Sequence, residues 1–170
     1  MTMTLIESYT FPGAVGSKTF SAIPGTYKAL QVIATVRSAR VDPLGDLSTR
    51  VNGDTGANYN YEQLIADGTA AVASYVAGDS KWGAPCPAAS APAGEAVAFN
   101  MIIPNYANTT FNKHALYTAG HRRGTTAALH EVYNNAAWWL STAAITSLTF
   151  YEGYLSTFVA GSTIDLYGIN

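Results

Sequence analysis

Apolar and polar residues alternate along much of the chain. In the segment KALQVIATVR, the side chains of Leu30, Val32, Ala34 and Val36 would share one face of an extended strand, with polar side chains between them. The same period of two recurs in EAVAFNMII and in STIDLYGIN. This alternation is typical of strands that bury one face and expose the other.

Turn-forming residues separate these segments from further strand candidates, at 5–11, 18–23, 47–52, 59–66, 71–77, 113–122, 132–140 and 145–152. About ten short strands predict a single all-β domain over residues 1–170, an antiparallel β-sandwich of the jelly-roll kind. A helical period is sustained at best over 125–140, so we expect little or no helix elsewhere.

The segment Gly83–Gly94 differs from its surroundings in composition. It contains three prolines and many small residues, which exclude a central strand. Because the alternating pattern resumes directly afterwards, the segment is predicted to be a long surface loop within the domain.

The segment RVNGDTGANYNY combines amides, an aspartate and two glycines. Asn52 followed by Gly53 favours a hairpin turn with positive φ. A calcium loop would need an oxygen ligand at Gly56 and a glycine at Ala57, and both requirements fail. A hairpin or loop is the favoured interpretation, and a ligand-binding role is the alternative.

Charge and cysteine content exclude several classes of protein. The 170 residues carry a formal net charge of -2, and only 12% are charged while 48% are hydrophobic. We therefore expect no nucleic-acid partner. A lone cysteine, the absence of a basic and apolar leader and the absence of an apolar run of about 18 residues predict folding in the cytoplasm without membrane insertion.

No motif of the chain predicts catalysis, a metal or a cofactor. His114 and His121 lie seven apart in a strand-like segment and should point to opposite faces, and His130 lacks the second histidine of a zinc-protease motif. Ser17 interrupts what would otherwise resemble a phosphate loop. We expect the protein not to be an enzyme.

Aromatic and amide residues are the candidates for contact with a partner or a glycan. Adjacent residues of a strand face opposite ways, so only one of Trp138 and Trp139 can enter a given core. Tyrosine and tryptophan are favoured at interfaces and as stacking platforms for sugars, although core packing is an equal alternative. The candidate contact residues are Tyr59, Tyr61, Tyr106, Trp138, Trp139, Asn52, Asp54 and Asn58.

Four segments of the chain together resemble one group of proteins: AIPGTYKALQVIATVRSAR, LSTRVNGDTGANYNYEQL, MIIPNYANTTFNKHAL, and WWLSTAAITSLTF with the terminal GSTIDLYGIN. The group consists of small β-sandwich virion proteins of tailed bacteriophages. The likeness spans nearly the whole chain and consists of turn and strand signatures. It implies a capsid decoration or cement protein, a head fibre, or a tail accessory protein. The chain lacks the long stalk of a typical fibre.

The resemblance leads us to expect a structural protein that is made in the host cytoplasm, joins the virion, and binds and stabilises the outer surface of the head. The expected partners are the major capsid protein or tail proteins, and other copies of the chain in a homotrimer. The alternative is a tail or head-fibre module that recognises a host surface glycan.

Overall fold

The computed structural model describes residues 2–126 and 129–170. It contains twelve strands, numbered in chain order: β1 Met3–Thr10, β2 Ser17–Phe20, β3 Ala29–Val36, β4 Leu44–Val51, β5 Tyr59–Ala66, β6 Ala71–Asp79, β7 Trp82–Pro87, β8 Val97–Pro104, β9 Lys113–Arg122, β10 His130–Trp139, β11 Leu148–Glu152 and β12 Thr163–Ile169. The described residues contain no α-helix. Within the predicted helical segment 125–140, residues 127 and 128 lie outside the described part, and a strand begins at His130.

The strands form two antiparallel sheets. The large sheet has eight strands in the order β1-β12-β3-β8-β9-β10-β5-β6, and the small sheet has four in the order β2-β11-β4-β7. Without the hairpins β5-β6 and β9-β10, eight strands remain in two sheets of four. The first strand then pairs with the last, and the chain crosses between the sheets after β1, β2, β3, β7, β8 and β11, which is a jelly roll. The predicted fold is confirmed.

The core lies between the inner faces of the two sheets. On β3 the four apolar residues predicted to share a face, Leu30, Val32, Ala34 and Val36, are all buried. Phe99 on β8 packs against Tyr117 on β9, with ring centroids 5.8 Å apart. The small sheet contributes Phe20 and Phe150 in an edge-to-face pair at 6.0 Å. The period of two therefore identified the buried face correctly.

The prediction of a surface loop over 83–94 is wrong for its first half. Trp82–Pro87 forms strand β7, which pairs with β4 and is almost entirely buried. The prolines Pro85 and Pro87 are tolerated because β7 is an edge strand, so one side of its backbone needs no hydrogen-bond partner. Beyond it, the Arg37 guanidinium donates to the carbonyl oxygens of Ala89, Ala91, Pro92 and Glu95, which holds the remaining loop in place.

The described part of the chain offers no helix whose length and apolar character would let it cross a membrane.

Candidate functional site

Four of the predicted contact aromatics are core residues. Tyr59, Tyr61, Tyr106 and Trp139 are at most 8% exposed, so the prediction that they form a contact surface is wrong. The polar atoms of Tyr59, Tyr106 and Trp139 have internal partners: the Tyr59 hydroxyl, for example, accepts a hydrogen bond from the Val51 amide at 2.9 Å. Burial raises the pKa of Tyr59 to about 12. These rings are buried because they lie on the apolar faces of their strands or under a loop.

Trp138 and Trp139 do point to opposite faces of β10, as predicted. Trp139 lies in the core, whereas Trp138 is partly exposed on the outer face of the large sheet. Its ring makes an edge contact with His114 on β9, with centroids 6.3 Å apart. Trp138 is therefore the member of the pair that can contact a partner.

The amide-rich loop is held together by its own aspartate. The Asp54 carboxylate accepts hydrogen bonds from Gly56 N at 2.8 Å, Asn58 Nδ2 at 2.9 Å and Trp139 Nε1 at 2.6 Å. The Trp139 hydrogen bond is the main cause that lowers the pKa of Asp54. The backbone φ of Asn52 is 51°. Its side-chain oxygen accepts hydrogen bonds from the backbone amides of Thr146 and Ser147. The backbone turns at Asn52 and Gly53 with positive φ as predicted, but the prediction of a hairpin is wrong, because the segment connects β4 in the small sheet to β5 in the large sheet. The contacts brace this connection between the sheets.

The histidines lie where the spacing predicted, with His114 exposed and His121 buried on the other face of β9. His121 Nε2 lies 3.0 Å from Glu131 Oε2, and Arg123 donates to both oxygens of that carboxylate. Burial lowers the pKa of His121, and this effect outweighs the opposing attraction of Glu131. Among the described residues, no three metal-ligating side chains come together.

The more distinctive surface is one that we did not predict, on the outer side of the large sheet. The hairpins β9-β10 and β5-β6 extend this sheet by four strands, and their outer side faces away from the small sheet. We call the outer surface of strands β8, β9, β10, β5 and β6 the open sheet face. It is a flat surface rather than a cleft, apart from a depression of about 360 Å³ beside Leu64 and Leu116.

Strand register places three rows of side chains across the open sheet face. The first row runs Ile102, Leu116, Ala136, Glu62 and Tyr75; the second runs Asn100, Thr118, Asn134, Leu64 and Ala73; the third runs Ala98, Gly120, Val132, Ala66 and Ala71. Within these rows, all of them described residues, Glu62 is the single side chain charged at neutral pH.

Several large apolar side chains of the rows are exposed to solvent. Leu116 is 63% exposed, Tyr75 58%, Val132 56% and Leu64 54%. A scattered apolar residue on a surface is ordinary, whereas a contiguous apolar patch marks an interaction site. The open sheet face therefore has the character of a binding surface for another macromolecule.

The open sheet face ends at strand β6, whose edge has fewer features that discourage pairing than the other three sheet edges. The other three edge strands carry features that discourage pairing: β1 has a bulge between Leu5 and Glu7, β2 has only four residues, and β7 contains two prolines. Strand β6 has nine residues, AVASYVAGD, with no proline and no charge before Asp79, and most of them are exposed. Its bulge lies near its end, between Val76 and Asp79, so residues 71–76 are regularly paired with β5. An edge of this kind is available to pair with another chain.

A sequence signal for this surface did exist. Leu64 and Leu116 occupy positions in phase with the polar residues of their strands, among Asn60, Glu62, His114 and Thr118. An apolar residue on the polar phase of a strand predicts either a second buried layer or a contact surface. The prediction based on aromatic residue type instead selected four residues that are buried in the core.

No protein-family model matches the chain, and no curated protein is significantly similar to it.

Proposed function

We propose that the protein is a structural component of a bacteriophage virion, which binds the outer surface of the head through its open sheet face and reinforces the shell. The observation that carries this proposal is the contiguous, nearly uncharged open sheet face, with Leu64, Leu116 and Val132 exposed. The resemblance of the strand and turn segments to β-sandwich virion proteins supports the setting.

Attachment through this face has a sufficient physical driving force. Full burial of a Leu or Val side chain stabilises a complex by about 1.5–3 kcal/mol. Such a surface has few charged groups to desolvate, since Glu62 is the single charge in the three rows and Arg122, at the end of β9 on the same face, is already paired with Glu95. A subunit that bridges two shell proteins would stabilise the assembled particle by mass action, and many copies would multiply the effect.

Contact between copies is the second part of the proposal. The β6 edge has unpaired backbone groups along one side, and Val72 and Tyr75 are exposed on its two faces. We assign this edge to self-association in a homotrimer, in which each copy covers the β6 strand of a neighbour. Sedimentation equilibrium should then show a species of three chains, whereas a pure monomer at about 10 μM would count against this part.

The test of attachment combines particle binding with a matched pair of variants. Wild-type protein should copurify with particles of the phage that encodes it and raise their resistance to heat. Leu116→Asp places a charge in the centre of the open sheet face and should abolish binding. Val41→Asp places the same charge at a residue that is 87% exposed in the β3-β4 connection and should bind normally. Equal binding by both variants would refute attachment through the open sheet face.

Cryo-electron microscopy of the particles distinguishes the leading function from the second candidate, a tail or head-fibre module that binds a host surface glycan. The observation that favours this candidate is a hydroxyl-lined cavity on the small sheet, which contains Arg50. Density in many symmetric copies on the head would support decoration. Density in a few copies at the tail tip would overturn decoration and support host recognition.

A further inference from the structure

A shallow cavity of about 410 Å³, as open to solvent as the depression beside Leu64 and Leu116, lies on the outer side of the small sheet, opposite the open sheet face. Its walls come from strands β2, β4 and β11 and from the turn after β11, with Ser17, Arg50, Thr149, Tyr151 and Ser156 among the lining residues. Other surface depressions of the described chain have similar volumes of about 330–440 Å³, so the chemistry of the lining, and not the volume, distinguishes this one.

Arg50 is held in place at the cavity without being neutralised. Its guanidinium carbon lies 4.6 Å from the centre of the Tyr151 ring, and its Nε donates to the Ser80 carbonyl oxygen at 3.2 Å. Stacking and one fixed hydrogen bond orient the guanidinium plane while leaving its two terminal nitrogens to bind an anion.

Comparison with the other four arginines sets Arg50 apart. Arg40, Arg122 and Arg123 each pair with a carboxylate, and Arg37 donates to four carbonyl oxygens. Among the described residues, Arg50 has neither a carboxylate partner nor more than one carbonyl acceptor.

The acidic residue that lines the same cavity is already committed to the fold. Glu152 is 1% exposed, and its carboxylate accepts hydrogen bonds from the Ser38 hydroxyl and from the backbone amides of Asp46, Tyr154 and Ser156. The Arg50 charge therefore remains available for a ligand.

The rest of the lining indicates the kind of ligand. Ser17, Thr149 and Ser156 supply hydroxyl groups that can both donate and accept hydrogen bonds. The guanidinium fork of Arg50 matches a planar carboxylate. We propose that this cavity binds an acidic saccharide, with the sugar carboxylate on Arg50 and the sugar hydroxyls on the serine and threonine side chains. This inference does not depend on attachment through the open sheet face, which lies on the other sheet.

The experiment is a titration of the full chain in which binding is monitored by NMR. Glucuronate and N-acetylneuraminate are the acidic probes, glucose is the neutral probe, and sulfate is the simple anion. We expect both acidic sugars to shift resonances of residues around Arg50, with glucose and sulfate at least about tenfold weaker. Arg50→Gln should weaken the acidic sugars about tenfold or more, and Arg50→Lys should give an intermediate loss because a lysine cannot form the two-pronged contact.

A matched control comes from Arg40, which also stacks on a tyrosine, with its guanidinium carbon 3.9 Å from the centre of the Tyr154 ring, but is paired with Asp42. Arg40→Gln should bind as the wild type does. The backbone spectrum of each variant shows whether it is folded, and Arg50→Lys provides a conservative second test. Binding of glucose equal to glucuronate, binding of sulfate equal to the sugars, no binding at all, or unchanged binding by folded Arg50→Gln would each overturn the proposal.

Discussion

Replacement of Asp54 by alanine tests the view that the amide-rich segment is a structural brace. Asp54 joins its own turn to the buried ring of Trp139 at the end of β10. The change removes the acceptor for Trp139 Nε1 as well as those for Gly56 N and Asn58 Nδ2. The indole N–H then remains in the core without the partner that it had.

The size of the effect follows from these three bonds. A hydrogen bond to a charged group contributes about 1.5–3 kcal/mol, and a buried donor that loses its partner costs about 1–3 kcal/mol. Water can replace the acceptor at Gly56, which is exposed, so this bond adds little. We expect the free energy of unfolding to fall by about 2–4 kcal/mol in Asp54→Ala, a large part of the roughly 5–15 kcal/mol total of an ordinary domain.

Urea unfolding at pH 7, followed by circular dichroism, measures this loss. With a slope of about 1–3 kcal/mol per molar urea, the midpoint should move down by about 1–2 M. Asp67→Ala is the matched control, because the Asp67 carboxylate caps a similar turn through Thr69 N at 2.6 Å and Ala70 N at 2.8 Å but holds no buried side chain. Its effect should be clearly smaller. A loss below about 0.5 kcal/mol in Asp54→Ala, or equal losses in the two variants, would refute the brace.

Two further predictions concern buried titratable groups. The pKa of His121 is lowered by burial, so the unfolded chain binds more protons than the folded chain, and the free energy of unfolding should fall as the pH drops below about 6.5. The pKa of Glu131 is also lowered, through Arg123 and His121, so protonation of Glu131 should cause a second loss of stability below about pH 4.5. Thermal melts between pH 8 and 4 check this, and His121→Gln should remove the upper step; a flat profile from pH 7.5 to 5 in the wild type would contradict it. Cys86 is fully buried, and desolvation is the main cause that raises the pKa of its thiol. Iodoacetamide at pH 8 should therefore leave Cys86 unmodified in the native protein and alkylate it completely in urea. Rapid alkylation of the native protein would contradict this and show that β7 opens.

Local pattern was enough to predict most of the strands and the fold class. The alternation in β3 and β8 identified their buried faces because side chains of a strand alternate strictly between its two sides. Asn52 and Gly53 identified a turn with positive φ because their backbone conformation is a local property, whereas the assignment of β4 and β5 to different sheets was not readable from it. The phase of β9 likewise placed His114 and His121 on opposite faces.

Tertiary structure decided which strands lie at sheet edges, and this in turn decided where the surface is. β7 was mistaken for a loop because only its edge position lets Pro85 and Pro87 join a sheet. The aromatic residues were assigned to a surface by residue type, but burial of Tyr59 and Trp139 depends on the second sheet packing over them. The exposure of Leu64 and Leu116 depends on the same geometry, because the hairpins extend the large sheet and leave its outer face uncovered. The alternation of apolar and polar residues is a property of each strand by itself. Whether a second layer covers one of its faces depends on residues far away in the chain.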